Sequence, residues 1–245
     1  MTKISRAIIL AAGQGSRLMP LTADRPKCLV PVGTACFLER TIRALLQASM
    51  PHITIVTGYH APQVASFVRE HFPNAPVQCL FNADWNSANN FSSLATALTD
   101  NTNDFILIDG DLLFETPLLT TLLGHPAKNG MIIDDTTLPP PEEAMKITLR
   151  NGTKTIQHLG KQLPPASSGG EYIGLAKFSA AWAQTLQQCW AKNKNDPAIR
   201  QGYYEDAISR ELANQEDIAA IPIGSHRWAE VDTVSDLAEV TKQWE

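Results

Sequence analysis

The apolar residues of this chain change texture along its length. Residues 7–11 (Ala-Ile-Ile-Leu-Ala) are apolar without alternation, the pattern of a central strand buried on both faces. Further short apolar or β-branched runs at 53–57, 77–81, 105–109 and 131–134 read as strands. Between them the period lengthens. Leu38, Ile42, Leu45 and Leu46 recur at helical spacing within 37–49. The stretch 61–72 continues as a helix with Pro62 in its first turn, where the missing N–H costs nothing. Residues 90–98 form a third helix that Asn89 or Asn90 can cap, and Thr116-Pro117 opens a shorter one. Strands alternating with helices predict an α/β fold, a doubly wound and mostly parallel sheet covered on both faces.

After Asp135 the alternation stops. Residues 136–143 are rich in proline and threonine, and short strand-like pieces follow at 145–150, 154–158 and 172–178, with a Pro/Ser/Gly loop at 163–170. This stretch is expected to form a small β-rich substrate flap beside the main sheet. Helices are expected at 179–191 and 203–213 and a strand at 218–223. The last helix, 233–244, opens on Thr233 with Asp236 in capping-box spacing. The expected organisation is one domain, 1–245, with a first half (1–135), a second half (136–232) and a C-terminal helix (233–245).

The first strand runs directly into Gly13-Gln14-Gly15-Ser16-Arg17, and Lys27 follows between Pro26 and Pro31. Glycines let backbone N–H groups approach phosphate oxygens. Arg17 and Lys27 add two cations for the same anion, and the prolines stiffen the segment that returns Lys27 to the loop. Two other phosphate loops are excluded. Leu18 stands where the dinucleotide fingerprint needs its third glycine, and no Gly-Lys-Ser/Thr of a Walker loop is present.

Two acidic clusters complete the chemistry. Asp109-Gly110-Asp111 ends an apolar strand, and ligands of open α/β sheets bind beyond the carboxyl ends of strands. Carboxylates there suit Mg²⁺, which prefers hard oxygen ligands. Glu230 and Asp232 share one face of an extended segment, because side chains alternate.

The string L-A-A-G-x-G-x-R-L-x-P-x-T-x-x-x-P-K-x-L, starting at Leu10, resembles the signature of the nucleotidyltransferase family. The pattern F-N-x-x-W-x-x-x-N-N-F-x-S-L over 81–94 is similar to its CTP:phosphocholine cytidylyltransferase-like branch. The resemblance covers the whole chain, most loosely at 136–168. It implies a nucleotide site made by Leu10, Ala11, Ala12, Gly13, Gly15 and Ser16, with Asp109, and with Asn90 and Ser92 reading a pyrimidine edge. It implies that Lys27 and Arg17 are catalytic, and that Asp111 and Asp232 bind Mg²⁺, with Glu230 and Asp109 less defined. CTP and a small phosphorylated acceptor are the implied partners. Glu142–Lys146, Gly170–Gly174 and Tyr203–Asp206 recur in similar form in small-alcohol-phosphate cytidylyltransferases. The acceptor set is accordingly Trp85, Asp134, Lys146, Glu171, Tyr172, Tyr204 and Glu205. Phosphocholine, 2-aminoethylphosphonate and a polyol phosphate all fit the branch, and the 81–94 match favours phosphocholine. The rivals are a sugar-1-phosphate nucleotidyltransferase and an inactive nucleotide sensor. The sensor reading is disfavoured because Arg17, Lys27, Asp111 and Asp232 are all present.

Composition narrows the setting. A net charge of -5 and no Lys/Arg run argue against a nucleic-acid surface. The run 7–12 is too short for a secretion-signal core, and no stretch reaches transmembrane length, so no membrane insertion is expected. Cys28, Cys36, Cys79 and Cys189 form no C-x-x-C pair, which fits reduced thiols and a cytoplasmic location.

Overall fold

The computed structural model describes residues 4–99 and 102–244. Strand β1 (Arg6–Ala11) sits inside the main sheet, as its unbroken apolar run demands. Two short strands, β2 (Pro31–Val32) and β3 (Ala35–Cys36), form a hairpin before helix α1 (Phe37–Gln47). Strand β4 (His52–Thr57), helix α2 (Ala61–His71) and strand β5 (Val77–Phe81) follow, then α3 (Asn90–Leu98), whose first amide is capped by the Asn89 side chain. Next come β6 (Phe105–Asp109), β7 (Leu112–Phe114), α4 (Thr116–Gly124) and β8 (Gly130–Asp134). The second half contributes β9 (Lys146–Leu149), β10 (Ile156–Gly160), β11 (Gly170–Phe178), α5 (Ala180–Asn193), α6 (Pro197–Gln201) and α7 (Tyr204–Glu211). The described chain closes with β12 (Ala219–Pro222), β13 (Trp228–Glu230) and α8 (Val234–Gln243), which carries the Thr233/Asp236 capping box.

Strands β5, β4, β1 and β6 pair in parallel. Leu10 stands beside Val56 on one side and Asp109 on the other, so three strands end at one edge. That shared carboxyl edge is where the glycine loop and the first acidic cluster meet. Alternation along β1 divides the core: Ala7, Ile9 and Ala11 pack toward α1, α2 and α4, and Ile8 and Leu10 toward α3, α5 and α7. Among the described residues, no helix is long and apolar enough to cross a membrane.

The sheet departs from the expected arrangement at β11. Its stretch was expected in the flap, yet β11 runs antiparallel between β6 and β8. A register shift between Tyr172 and Ala176 lets its start also pair with β9. Eight of its nine residues are buried, as a strand covered on both faces requires. Strands β9 and β10 then extend the same sheet as an antiparallel edge. The pairing of β7 with β13 was not anticipated. Both strands have three residues, too short for a periodic signal.

A third, smaller core explains how distant segments reach the site. Leu18, Val30, Val32 and Phe37 pack with Leu113, Val231 and Val240. The segments on either side of Lys27 are thereby fixed against those on either side of Asp232.

Candidate active site

A cleft opens over the carboxyl edge of β1 and β6. Its walls include Gly13, Gly15, Ser16, Arg17, Lys27, Asn90, Asp109–Asp111, Tyr172, Gly174, Glu205, Glu230 and Asp232. The loop geometry answers why a glycine stands at position 15. Gly15 has φ of 71°, and a Cβ there would lie 2.8 Å from the Cβ of Lys27. The lysine stem therefore packs on the bare glycine, which returns Lys27 to the loop as its flanking prolines suggested. Gly15→Ala carries both backbone strain and a side-chain clash. It is expected to lower turnover by ~10-fold or more, because small misplacements of a reacting group are costly. Steady-state kinetics and circular dichroism of the variant test this; unchanged turnover would separate Lys27 from the loop.

Lys27 closes an ion cluster. Its Nζ lies 2.5 Å from Asp111 Oδ2 and 2.9 Å from Asp232 Oδ1. Burial alone would lower the Lys27 pKa, but Asp111 and Asp232 outweigh it and hold the ammonium charged. Arg17 reaches the other oxygen of Asp232 at 2.9 Å from an exposed position, where water screens the pair. Ligand oxygens of Asp111, Glu230 and Asp232 lie within 4.8 Å of one another. Glu230 stands at the rim, and desolvation by the surrounding chain, then Asp111 and Asp232, push its carboxyl up to about 7.

A second acidic layer forms the floor. The Tyr204 hydroxyl lies 3.1 Å from both Asp109 Oδ2 and the Tyr172 hydroxyl. With Tyr172 donating to Tyr204 and Tyr204 to Asp109, all three are satisfied. Burial, then Glu205 and Asp111, raise the Asp109 carboxyl well above the usual range. Burial likewise pushes Glu205 up to about 7, although the Asn90 side chain bonds its carboxylate. Gly174, at φ of 86°, leaves room for this layer: a Cβ there would come within 2.7 Å of Asp109 Oδ2.

The cleft gathers Leu10, Ala11, Gly13, Gly15, Ser16, Arg17, Lys27, Asn90, Asp109, Asp111, Tyr172, Glu205 and Asp232 from the expected set. Tyr204 lies just beneath it, fully buried. Six expected residues are used elsewhere. The Ala12 carbonyl is taken by the Tyr59 N–H at 2.9 Å. Ser92 accepts from the Asn82 amide at 2.9 Å and donates to the Asn89 carbonyl at 2.8 Å, so its hydroxyl is spent inside the helix start. Trp85 packs on Gly58 and the Tyr59 ring, away from the cleft. Asp134 accepts from Trp228 Nε1 at 2.7 Å and from Thr136. Lys146 is fully buried and donates to the Glu142 and Ala144 carbonyls, pinning that turn. Glu171 pairs across the sheet with Asp134 and Lys146 rather than lining the cleft. Lys161, Glu143, Met145, Asn89 and Tyr203 line it without having been assigned. Glu143, Met145 and Tyr203 lay in motifs already marked out and Asn89 stood at a helix start, but nothing in the sequence distinguished Lys161.

A glycine loop with two cations faces carboxylates at the edge of a parallel sheet, the kind of α/β arrangement suited to a polyphosphate. The chain belongs to the MobA-like NTP transferase domain family, whose model matches residues 7–205. It is 31% identical to a choline-phosphate cytidylyltransferase of Haemophilus influenzae, over 97% of this chain and 96% of the relative. It is 26% identical to a 2-aminoethylphosphonate cytidylyltransferase of Lancefieldella rimae, over 96% and 91%. The fold matches the solved CTP:phosphocholine cytidylyltransferase of Streptococcus pneumoniae with a TM-score of 0.78 at 21% identity, covering 98% of this chain and 99% of that one. The chain is a nucleotidyltransferase, as its family and relatives establish.

Proposed function

We propose that this enzyme is a Mg²⁺-dependent cytidylyltransferase that moves CMP from CTP to a small acceptor bearing a phosphate or phosphonate. The observation that carries this reading is the convergence of Lys27 and Arg17 on Asp111 and Asp232 beside the glycine loop. Relatives that use CTP, together with the 81–94 pattern, support the choice of nucleotide.

The donor set fits a magnesium ion. Asp111, Glu230 and Asp232 offer hard oxygens on a common locus. Desolvation first, and then the charges of Asp111 and Asp232, raise the Glu230 carboxyl, and a dication would relieve the second part. When bound there, Mg²⁺ would neutralise charge on the triphosphate.

The chain's own groups do the remainder. The backbone of residues 13–16 and Arg17 hold the β- and γ-phosphates. Lys27 meets the charge that builds at the α-phosphate. An acceptor oxygen forms a bond to the α-phosphorus as the bond to the bridging oxygen of pyrophosphate breaks, and pyrophosphate leaves with that electron pair. The attacking oxygen is already anionic, so no general base is needed; catalysis rests on positioning and charge stabilisation.

Pyrophosphate release with each NTP and a panel of small phosphates tests the reading. CTP is expected to exceed UTP, dTTP, ATP and GTP by ~10-fold or more in kcat/KM. Equal or better use of UTP or dTTP with a hexose phosphate would overturn it.

A further inference from the structure

We propose that the acceptor carries a primary ammonium, and that the free carboxylate oxygen of Glu205 is the group that selects it. The inference rests on the cytidylyltransferase reading above and concerns the other end of the same cleft.

Glu205 is only 4% exposed and lines the cleft from the start of α7. The Asn90 side chain, the helix-start backbone and the Tyr204 side chain engage its carboxylate. Its Oε2 is shielded from water and has no hydrogen-bond partner. A buried acceptor left unpaired is costly, and more so when it carries charge. At a ligand cleft, that cost is recovered when the ligand brings the donor.

The surroundings ask for a cation. Tyr204, the next residue on α7, reaches a second carboxyl of the floor, its hydroxyl 3.1 Å from Asp109 Oδ2. Nearby cations of the chain are committed: Lys27 to Asp111 and Asp232, Lys146 to two carbonyls, and Lys161 to the Tyr203 ring, 5.2 Å from its centroid.

The same surroundings disfavour a quaternary ammonium. Such a group cannot donate a hydrogen bond and is held by open aromatic faces. Tyr172 is 3% exposed, edge-on to Tyr204 with ring centroids 6.5 Å apart, and its hydroxyl belongs to the chain that ends on Asp109. The Tyr203 face is covered by Lys161. Trp85 and Trp228 lie outside the cleft wall. Among the described residues, two open faces do not converge there. A primary ammonium has three N–H donors, the kind of partner that Glu205 Oε2 lacks. The geometry therefore turns the choice away from phosphocholine, which the 81–94 match favours.

The test measures pyrophosphate release by wild-type enzyme at saturating CTP with 2-aminoethylphosphonate, phosphoethanolamine, phosphocholine and ethyl phosphate. A primary amine should lead phosphocholine and ethyl phosphate by ~10-fold or more in kcat/KM, as in sites built to hydrogen-bond a substrate N–H. Glu205→Gln should raise the KM of that amine by ~10-fold or more, leave the KM of CTP within about 2-fold, and shrink the discrimination. The wild-type comparison decides the matter even where that variant fails to fold. Phosphocholine or ethyl phosphate matching the amines would overturn the inference and leave the cytidylyltransferase reading standing. A Glu205→Gln variant that raised only the KM of CTP would also overturn it, by assigning the carboxylate to the cytosine amino group. No CTP-dependent release with any acceptor would refute both.

Discussion

Asp111→Asn and Asp232→Asn should each lower kcat by ~10³-fold or more while the protein stays folded. The reason is charge placement. Each variant removes one hard anionic ligand from a cluster whose members lie within 4.8 Å, while Lys27 keeps one carboxylate partner. The local fold loses little, because the carboxylates repel one another and the third core holds the segments from beneath. Chelator should abolish wild-type turnover, and added Mg²⁺ should restore it. Pyrophosphate assays paired with thermal melts provide the measurement; full activity in excess chelator would end the metal-dependent reading.

Lys27→Met should lower kcat by roughly 10²–10³, the loss expected on removing one preorganised charge-stabilising group. KM for CTP should change less. A second effect separates this residue from an ordinary surface lysine. In the free enzyme its ammonium lies between Asp111 and Asp232, where a divalent ion would compete with it. Lys27→Met should therefore bind Mn²⁺ more tightly in the absence of nucleotide, and Mn²⁺ should raise its melting temperature more than that of wild type. Electron paramagnetic resonance titration reads the first effect and thermal melts the second. Unchanged Mn²⁺ affinity, with kcat within a few-fold of wild type, would remove Lys27 from the cluster.

Much of this site was legible in local sequence. Run 7–11 marked a strand buried on both faces because both its odd and its even positions are apolar, and the structure divides them between two cores. The glycines after it marked a loop that brings backbone N–H groups forward, and Gly15 has the positive φ that favours glycine. Asp111 and Asp232 were readable as carboxylates beside extended segments. Each of these signals is short-ranged: a period, a turn residue or a charge at a strand end.

Residues assigned to the acceptor by resemblance and residue type fared differently. Trp85 and Tyr204 are both aromatics within marked stretches, yet one packs on Gly58 and the other supports the cleft floor. Asp134 and Glu205 are both acids of the expected acceptor set; Trp228 and Thr136 occupy Asp134, whereas Glu205 keeps an unpaired oxygen. Side-chain direction in these cases follows from contacts that no local window contains.

By itself, the sequence determined an alternating α/β chain, a glycine loop followed by Arg17 and Lys27, and two acidic clusters. Only the tertiary structure decided that 205 positions of separation between Lys27 and Asp232 close to a 2.9 Å contact. It also decided that β11 enters the main sheet and that Glu205 faces the cleft. The physical reason is range. Turns and hydrophobic periods are set by neighbours a few residues away, whereas strand order, register and the partner of a buried charge are set by packing across the whole fold.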